Sequence, residues 1–189
     1  MNLPNIITLT RILLVPVFVV TYLIPGQWTY IATALFFGLA AFTDWLDGFL
    51  ARRLDQTTPF GAFLDPVADK LIVVSALVLL IAHHGSLWLT LPGLIIVGRE
   101  IVISALREWM AEMNRSGAVA VSTLGKVKTT VQMIAIFMLL AYKPDLTVPW
   151  VVGGYILLYV AAFMTLWSMT LYLIVAWPTL REGLRSKGE

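Results

Sequence analysis

The chain has 189 residues, 59% of them hydrophobic and 13% charged, with a formal net charge of +2. A mean hydropathy of +0.87 excludes an ordinary soluble domain, and the length leaves room for several membrane spans. There is no cysteine, which excludes disulfides, thiolate metal ligands and a cysteine nucleophile.

Crossing a hydrocarbon core of ~30 Å as helix takes roughly 20 apolar residues. Six candidate spans follow one another, at residues 11–24, 28–51, 64–82, 87–107, 121–142 and 150–176. The expected fold is therefore all-α, a polytopic membrane protein of six transmembrane helices forming one catalytic domain over residues 1–189, with no flexible linker or internal repeat. The polar start Met1-Asn2-Leu3-Pro4-Asn5 has no cluster of positive charge, and no small-residue cleavage site follows the first apolar run. Residues 1–10 are thus expected to form a short interfacial segment and not part of a cleaved signal peptide. Pro25-Gly26, His84-Gly85 and Lys143-Pro144-Asp145 break the spans on one side, and charged segments break them on the other.

Arg52, Arg53, Arg107, Arg115, Lys126, Lys128, Arg181, Arg185 and Lys187 fall on that second side, with only Lys143 opposite. The positive-inside rule makes it cytoplasmic and predicts that both termini are cytoplasmic as well. The basic residues of the tail, 177–189, hold it at an anionic membrane surface. His83 and His84 fall on the external turn and read as interfacial polar residues, just as Trp28, Tyr30, Trp88, Tyr142 and Trp150 mark interfaces.

Carboxylates in or beside a span are costly, and are usually paired, solvated in a cavity or metal-bound. Asp44 and Asp47 stand three residues apart in the last turns of the second span, and Asp65 and Asp69 stand four apart at the start of the third. Each pair occupies one helical face. The short connection from Arg53 to Leu64 lets the two helices pack antiparallel and brings all four acids to one level at the cytoplasmic end. Four clustered negative charges require protons or a cation, and hard oxygen ligands favour magnesium, manganese or calcium over zinc. A two-metal site could hold a diphosphate and stabilise the attacking and leaving oxygens of an in-line displacement. Gly48 and Ala51 lie one turn after the first pair and Gly61 one turn before the second, leaving room for backbone to approach a ligand. Arg52 adds donors suited to phosphate oxygens. Small residues at helix contacts and ordinary topogenic arginines account for these same four positions equally well.

Written out, the segment is Asp44-x2-Asp47-Gly48-x2-Ala51-Arg52-x8-Gly61-x3-Asp65-x3-Asp69, which resembles the complete signature of the CDP-alcohol phosphotransferase family. That resemblance implies six transmembrane helices, a cytoplasm-facing site, two divalent metals (Mg2+ or Mn2+), homodimers, and CDP-diacylglycerol as donor within the membrane lipid. It implies Asp44, Asp47 and Asp65 as metal ligands, and Asp69 as both metal-proximal and the general base. Gly48, Ala51, Arg52 and Gly61 would border the CDP moiety. Asn5-x2-Thr8-x2-Arg11 resembles the family's N-terminal element near the donor diphosphate; on its own it reads as an interfacial cap with one arginine.

The acceptor is decided outside this signature. Arg99 and Glu100 stand within the fourth span, Arg107, Glu108 and Glu112 follow toward its cytoplasmic end, and Lys126 and Lys128 open the fifth. Arg99, Arg107, Lys126 and Lys128 carry more positive charge than the local acids neutralise, and a phosphorylated acceptor would supply the balance. Internal pairing, as of Glu100 or Glu108 with Arg107, and snorkelling to headgroups compete with that reading. The segments Gly98 to Glu108 and Leu124 to Thr130 resemble those of the family's bacterial phosphatidylglycerophosphate synthases. This implies sn-glycerol 3-phosphate as acceptor, phosphatidylglycerophosphate and CMP as products, and residence in the bacterial inner membrane. No nucleic-acid partner is expected. The rival readings are a family member with another acceptor, making phosphatidylserine, phosphatidylinositol phosphate or cardiolipin, and a cation or proton transporter, which leaves the glycines, Ala51 and Arg52 unexplained.

Overall fold

The computed structural model describes residues 3–54, 59–112 and 123–185. They form six helices: α1 (Leu3–Leu23), α2 (Gln27–Leu54), α3 (Pro59–His84), α4 (Leu87–Glu112), α5 (Thr123–Leu140) and α6 (Pro149–Arg185). No strand occurs among the described residues.

The six helices follow the six expected spans in order; α1 to α4 and α6 run past at least one hydropathy boundary, whereas α5 ends inside its span at Leu140. α1 starts at Leu3, so the expected interfacial segment forms the first turns of the same helix. Pro4 is tolerated there because the first turn leaves its N–H groups unbonded in any case. α2 continues to Leu54 and α3 begins at Pro59, so most of the expected Arg53 to Leu64 connection is helical. α6 has 37 residues and, at 1.5 Å per residue, spans about 55 Å, well beyond a ~30 Å core. The expected tail is helical as far as Arg185. Hydropathy ends where a helix leaves the apolar phase, while backbone hydrogen bonding continues into the interface.

By length and composition, three helices among the described residues are apolar enough to cross a membrane, over Ile6–Leu23, Leu87–Ala111 and Pro149–Pro178, and α5 carries a shorter apolar run, Val127–Leu140. Leu13, Val20, Ile31, Leu35, Ile101, Ile156, Phe163 and Ile174 all present exposed side chains. So much exposed apolar surface belongs in hydrocarbon, and helices are the elements that satisfy their own backbone there. The chain is a helical membrane protein.

α3 packs against α1, α2, α4 and α5, while α6 packs against α4 and α5. The core includes Phe18, Phe37, Leu77, Leu80, Ile96, Leu139 and Leu158, with Phe18 edge-on to Phe37 at 6.3 Å between ring centroids. α5 and α6 approach closely at Gly154, where an added Cβ would lie 2.8 Å from Leu139 Cγ. α3 ends on Gly85 at φ 55°, whose N–H closes the last turn on the Ile81 carbonyl at 3.1 Å. Before α6, Asp145 Oδ1 accepts from Thr147 N–H at 3.0 Å and from its hydroxyl at 2.6 Å. These two bonds hold the Asp145 carboxyl below the usual carboxylate range.

The two histidines end α3, far from the aspartates at its start. His83 Nε2 is 3.1 Å from the Tyr30 hydroxyl and His84 Nδ1 is 2.8 Å from the Tyr155 hydroxyl. Each is tied to a tyrosine of another helix.

Candidate active site

Three helices build the acidic site at one end of the bundle. Thr8 and Arg11 lie three residues apart on α1 and so share a face. Asp65 and Asp69 do the same on α3, and Asp44 comes from α2. Thr8 Oγ1 donates to Asp65 Oδ1 at 2.9 Å. Arg11 Nη1 lies 2.9 Å from Asp44 Oδ1 and 2.8 Å from Asp69 Oδ1. The Arg11 side chain is 0% exposed, whereas those of Asp44 and Asp69 are 49% and 51% exposed. The guanidinium therefore forms a buried floor beneath two carboxylates that open outward.

Burying an arginine is costly unless charge partners compensate. Here a single nitrogen satisfies two of them, across three helices. Asp44, Asp65 and Asp69 still outnumber Arg11, so the site remains electronegative. Among the described residues, no three acidic or histidine side chains are grouped tightly enough to hold a metal by themselves. The hard-oxygen chemistry of the set nonetheless fits a divalent cation. The convergence of two carboxylate oxygens on one positively charged nitrogen shows where positive charge is held.

Several expected site residues can be followed only in part. Asp47, Gly48, Ala51 and Arg52 lie on α2 and Asn5 on α1, but their side chains are outside the described residues. Gly61 is buried in the first turns of α3.

Next to the acids, a cavity of about 310 Å³ opens between α3, α4 and α5, with Asp69, Arg99, Glu100, Arg107, Lys128 and Gln132 in its lining. Asp69 thus borders both the acidic site and this cavity. Glu100 Oε1 bridges Arg99 Nη1 at 3.0 Å and Lys128 Nζ at 3.1 Å. Arg99 Nη2 donates to Ser168 Oγ on α6 at 3.3 Å. Arg107 is exposed, its guanidinium carbon 5.7 Å from the centroid of the Tyr172 ring, a cation–π distance. Glu100 therefore pairs with Arg99 and Lys128, while Arg107, the partner named in the competing reading, lies two turns along α4 and over the Tyr172 ring. Lys70, Arg99, Arg107 and Lys128 against Asp69 and Glu100 leave an excess of two positive charges in the lining. Lys126, expected beside them, has a side chain outside the described residues.

Sequence reasoning missed Gln132 and Ser168. Gln132 follows Lys128 by four residues and shares its face, so an uncharged amide one turn deeper in an apolar helix was the available signal. Ser168 lies 69 positions from Arg99 in sequence, and only the packing of α6 on α4 brings them together.

Comparison with known proteins places this arrangement. The family model for CDP-alcohol phosphatidyltransferase matches residues 1–177. A CDP-diacylglycerol–glycerol-3-phosphate 3-phosphatidyltransferase of Pseudomonas fluorescens is 56% identical over 188 residues, covering 99% of this chain and 96% of the relative. Proteins of the same name from Shigella flexneri serotype 5b (strain 8401) and Escherichia coli (strain K12) are 54% and 53% identical over 175 residues, 93% of this chain and 94% of each relative. With a signature-bearing acid cluster on α2 and α3 and a family match over nearly its whole length, the chain belongs to the CDP-alcohol phosphatidyltransferase family.

Proposed function

We propose that this chain transfers a phosphatidyl group from CDP-diacylglycerol to sn-glycerol 3-phosphate, giving phosphatidylglycerophosphate and CMP. The observation that carries the reading is Asp69, half-exposed, with the acids on one side and a cavity of excess positive charge on the other. A phosphorylated alcohol suits such a cavity, because a phosphate dianion matches its charge. The names of relatives more than 50% identical at near-full coverage point to the same acceptor.

An alcohol is a poor nucleophile until a carboxylate takes its proton during attack. Asp69 is positioned for that role: Arg11 orients one of its oxygens, and half of the side chain is accessible. The acceptor hydroxyl oxygen bonds to the lipid-side phosphorus, its proton passes to Asp69, and the bond from that phosphorus to the bridging oxygen breaks as CMP leaves. Asp44, Asp47, Asp65 and Asp69 would hold two divalent cations, Mg2+ or Mn2+, which when bound neutralise the diphosphate and the departing CMP. Asn5, Thr8, Arg11, Gly48, Ala51, Arg52 and Gly61 would frame the donor, and Arg99, Arg107, Lys126 and Lys128 the acceptor phosphate. In this reading all six helices span the inner membrane as one catalytic domain, the site and both termini face the cytoplasm, and the protein works as a homodimer.

The test is CMP release by purified protein supplied with CDP-diacylglycerol, with and without sn-glycerol 3-phosphate and with and without Mg2+ or Mn2+. Release requiring both additions, together with loss of at least ~100-fold in Asp69→Asn, is expected. Incorporation of serine in place of glycerol 3-phosphate, or full activity in Asp69→Asn, would overturn it.

A further inference from the structure

One buried polar group of the acceptor cavity is left unused by the chemistry above. Gln132 on α5 is only 3% exposed, lines the same cavity as Asp69 and Lys128, and has a buried amide oxygen with no hydrogen-bond partner among the described residues. Such orphaned acceptors are rare in folded proteins, because desolvation without a replacement bond is costly. Gln132 follows Lys128 by one helical turn, so its amide lies one turn further into the bundle on the same face of α5. The adjacent wall comes from Val73, itself one turn beyond Asp69 on α3. The lining thus joins cations to the apolar side chains of Val73 and Val74 and to this buried, unpaired acceptor.

We infer that Gln132 is a specificity residue, whose amide oxygen accepts a hydrogen bond from the acceptor hydroxyl that does not react. This rests on glycerol 3-phosphate being the acceptor. That molecule carries a phosphate, a less hindered primary hydroxyl suited to attack, and a secondary hydroxyl that is left over. The cations match the phosphate, Asp69 takes the proton of the attacking hydroxyl, and the secondary hydroxyl needs an acceptor that is not the base. Gln132 Oε1 is a free acceptor in the cavity lining. A phosphorylated alcohol lacking that hydroxyl would leave the buried amide oxygen unpaired, and a site built to bond a hydroxyl discriminates on that ground.

The probe is 3-hydroxypropyl phosphate, which is glycerol 3-phosphate without the secondary hydroxyl. Values of kcat/KM for the two acceptors are measured by CMP release from CDP-diacylglycerol in mixed micelles. Wild-type protein is expected to prefer glycerol 3-phosphate by about tenfold or more. Gln132→Met, similar in length but unable to accept that bond, is expected to reduce the preference to within about twofold, by losing rate on glycerol 3-phosphate and not on the analogue. Gln132→Asn, with its amide drawn back, should fall between. A residue acting only on packing would lower both acceptors together and leave their ratio unchanged, and an unchanged ratio in an active variant overturns the inference. Should neither variant fold, a wild-type preference below about twofold overturns it without them, and a tenfold preference supports it. Failure of wild-type protein to use glycerol 3-phosphate at all would instead remove the function on which the inference stands.

Discussion

Lys128→Met tests the acceptor cavity most directly. The Lys128 side chain is 4% exposed, and its ammonium contacts Glu100 at 3.1 Å in the cavity that Asp69 also lines. Methionine matches its length and fills irregular space, so the variant removes a charge without leaving a large void. Glu100 keeps its contact with Arg99 at 3.0 Å and is not left buried without a partner. The excess charge of the lining falls from two to one. A hydrogen bond to a charged group contributes about 1.5–3 kcal/mol, and at about 1.4 kcal/mol per factor of ten the acceptor KM should rise about 10- to 140-fold. The assay is initial CMP release in mixed micelles, varying glycerol 3-phosphate at saturating donor and then the reverse. Lys128→Arg, which keeps the charge, should recover most of the loss. An acceptor KM within threefold of wild type, or a rise confined to the donor KM, refutes the assignment of this cation to the acceptor.

Three further outcomes follow from the same geometry. Arg11→Met removes the described cation between Asp44 and Asp69; because both carboxylates left behind are half exposed, the cost is about 1 kcal/mol, read as a lower unfolding midpoint in detergent and a loss of CMP release, both relieved in Arg11→Lys. Thr8→Val leaves Asp65 without the bond it receives at 2.9 Å; a net cost near 1 kcal/mol should lower activity about fivefold, and Thr8→Ser should restore it. Gly154→Leu forces side-chain atoms into a contact already 2.8 Å from Leu139 at Cβ; overpacking of about 1–3 kcal/mol should lower thermal stability, while the ratio of the two substrates' KM values stays fixed.

The chain made its helices legible because six apolar runs are separated by breaks that only turns accommodate, and because lipid rewards an apolar surface wherever a helix meets it. The acid pairs were legible for a related reason: carboxylates at i, i+3 and i, i+4 beside apolar runs have few uses. Helix ends were not, since Phe60-Gly61-Ala62-Phe63 is too short and too rich in small residues to read as span, and only backbone bonding carries it into α3. The reach of Arg11 was hidden as well. Its two carboxylates lie on α2 and α3, and no local pattern announces that α1 packs between them in the needed register. Glu100 was visible as a charge but not as a bridge, because its second partner, Lys128, stands 28 positions away on another helix. Gln132 carries no charge and interrupts no span, so its position on the Lys128 face became informative only once that face was seen to line a cavity.

Asp69 belongs to two compartments at once, and this has a stereochemical consequence. In the proposed function, a donor diphosphate held over the aspartates and an acceptor seated among the cations would put the leaving CMP and the incoming hydroxyl on opposite sides of the lipid-side phosphorus. Such a layout allows a single backside substitution and gives a returning nucleophile no second face. A donor made chiral at that phosphorus with sulfur and oxygen isotopes should therefore yield product of inverted handedness, and retention would mean that an enzyme-bound phosphatidyl group had come between.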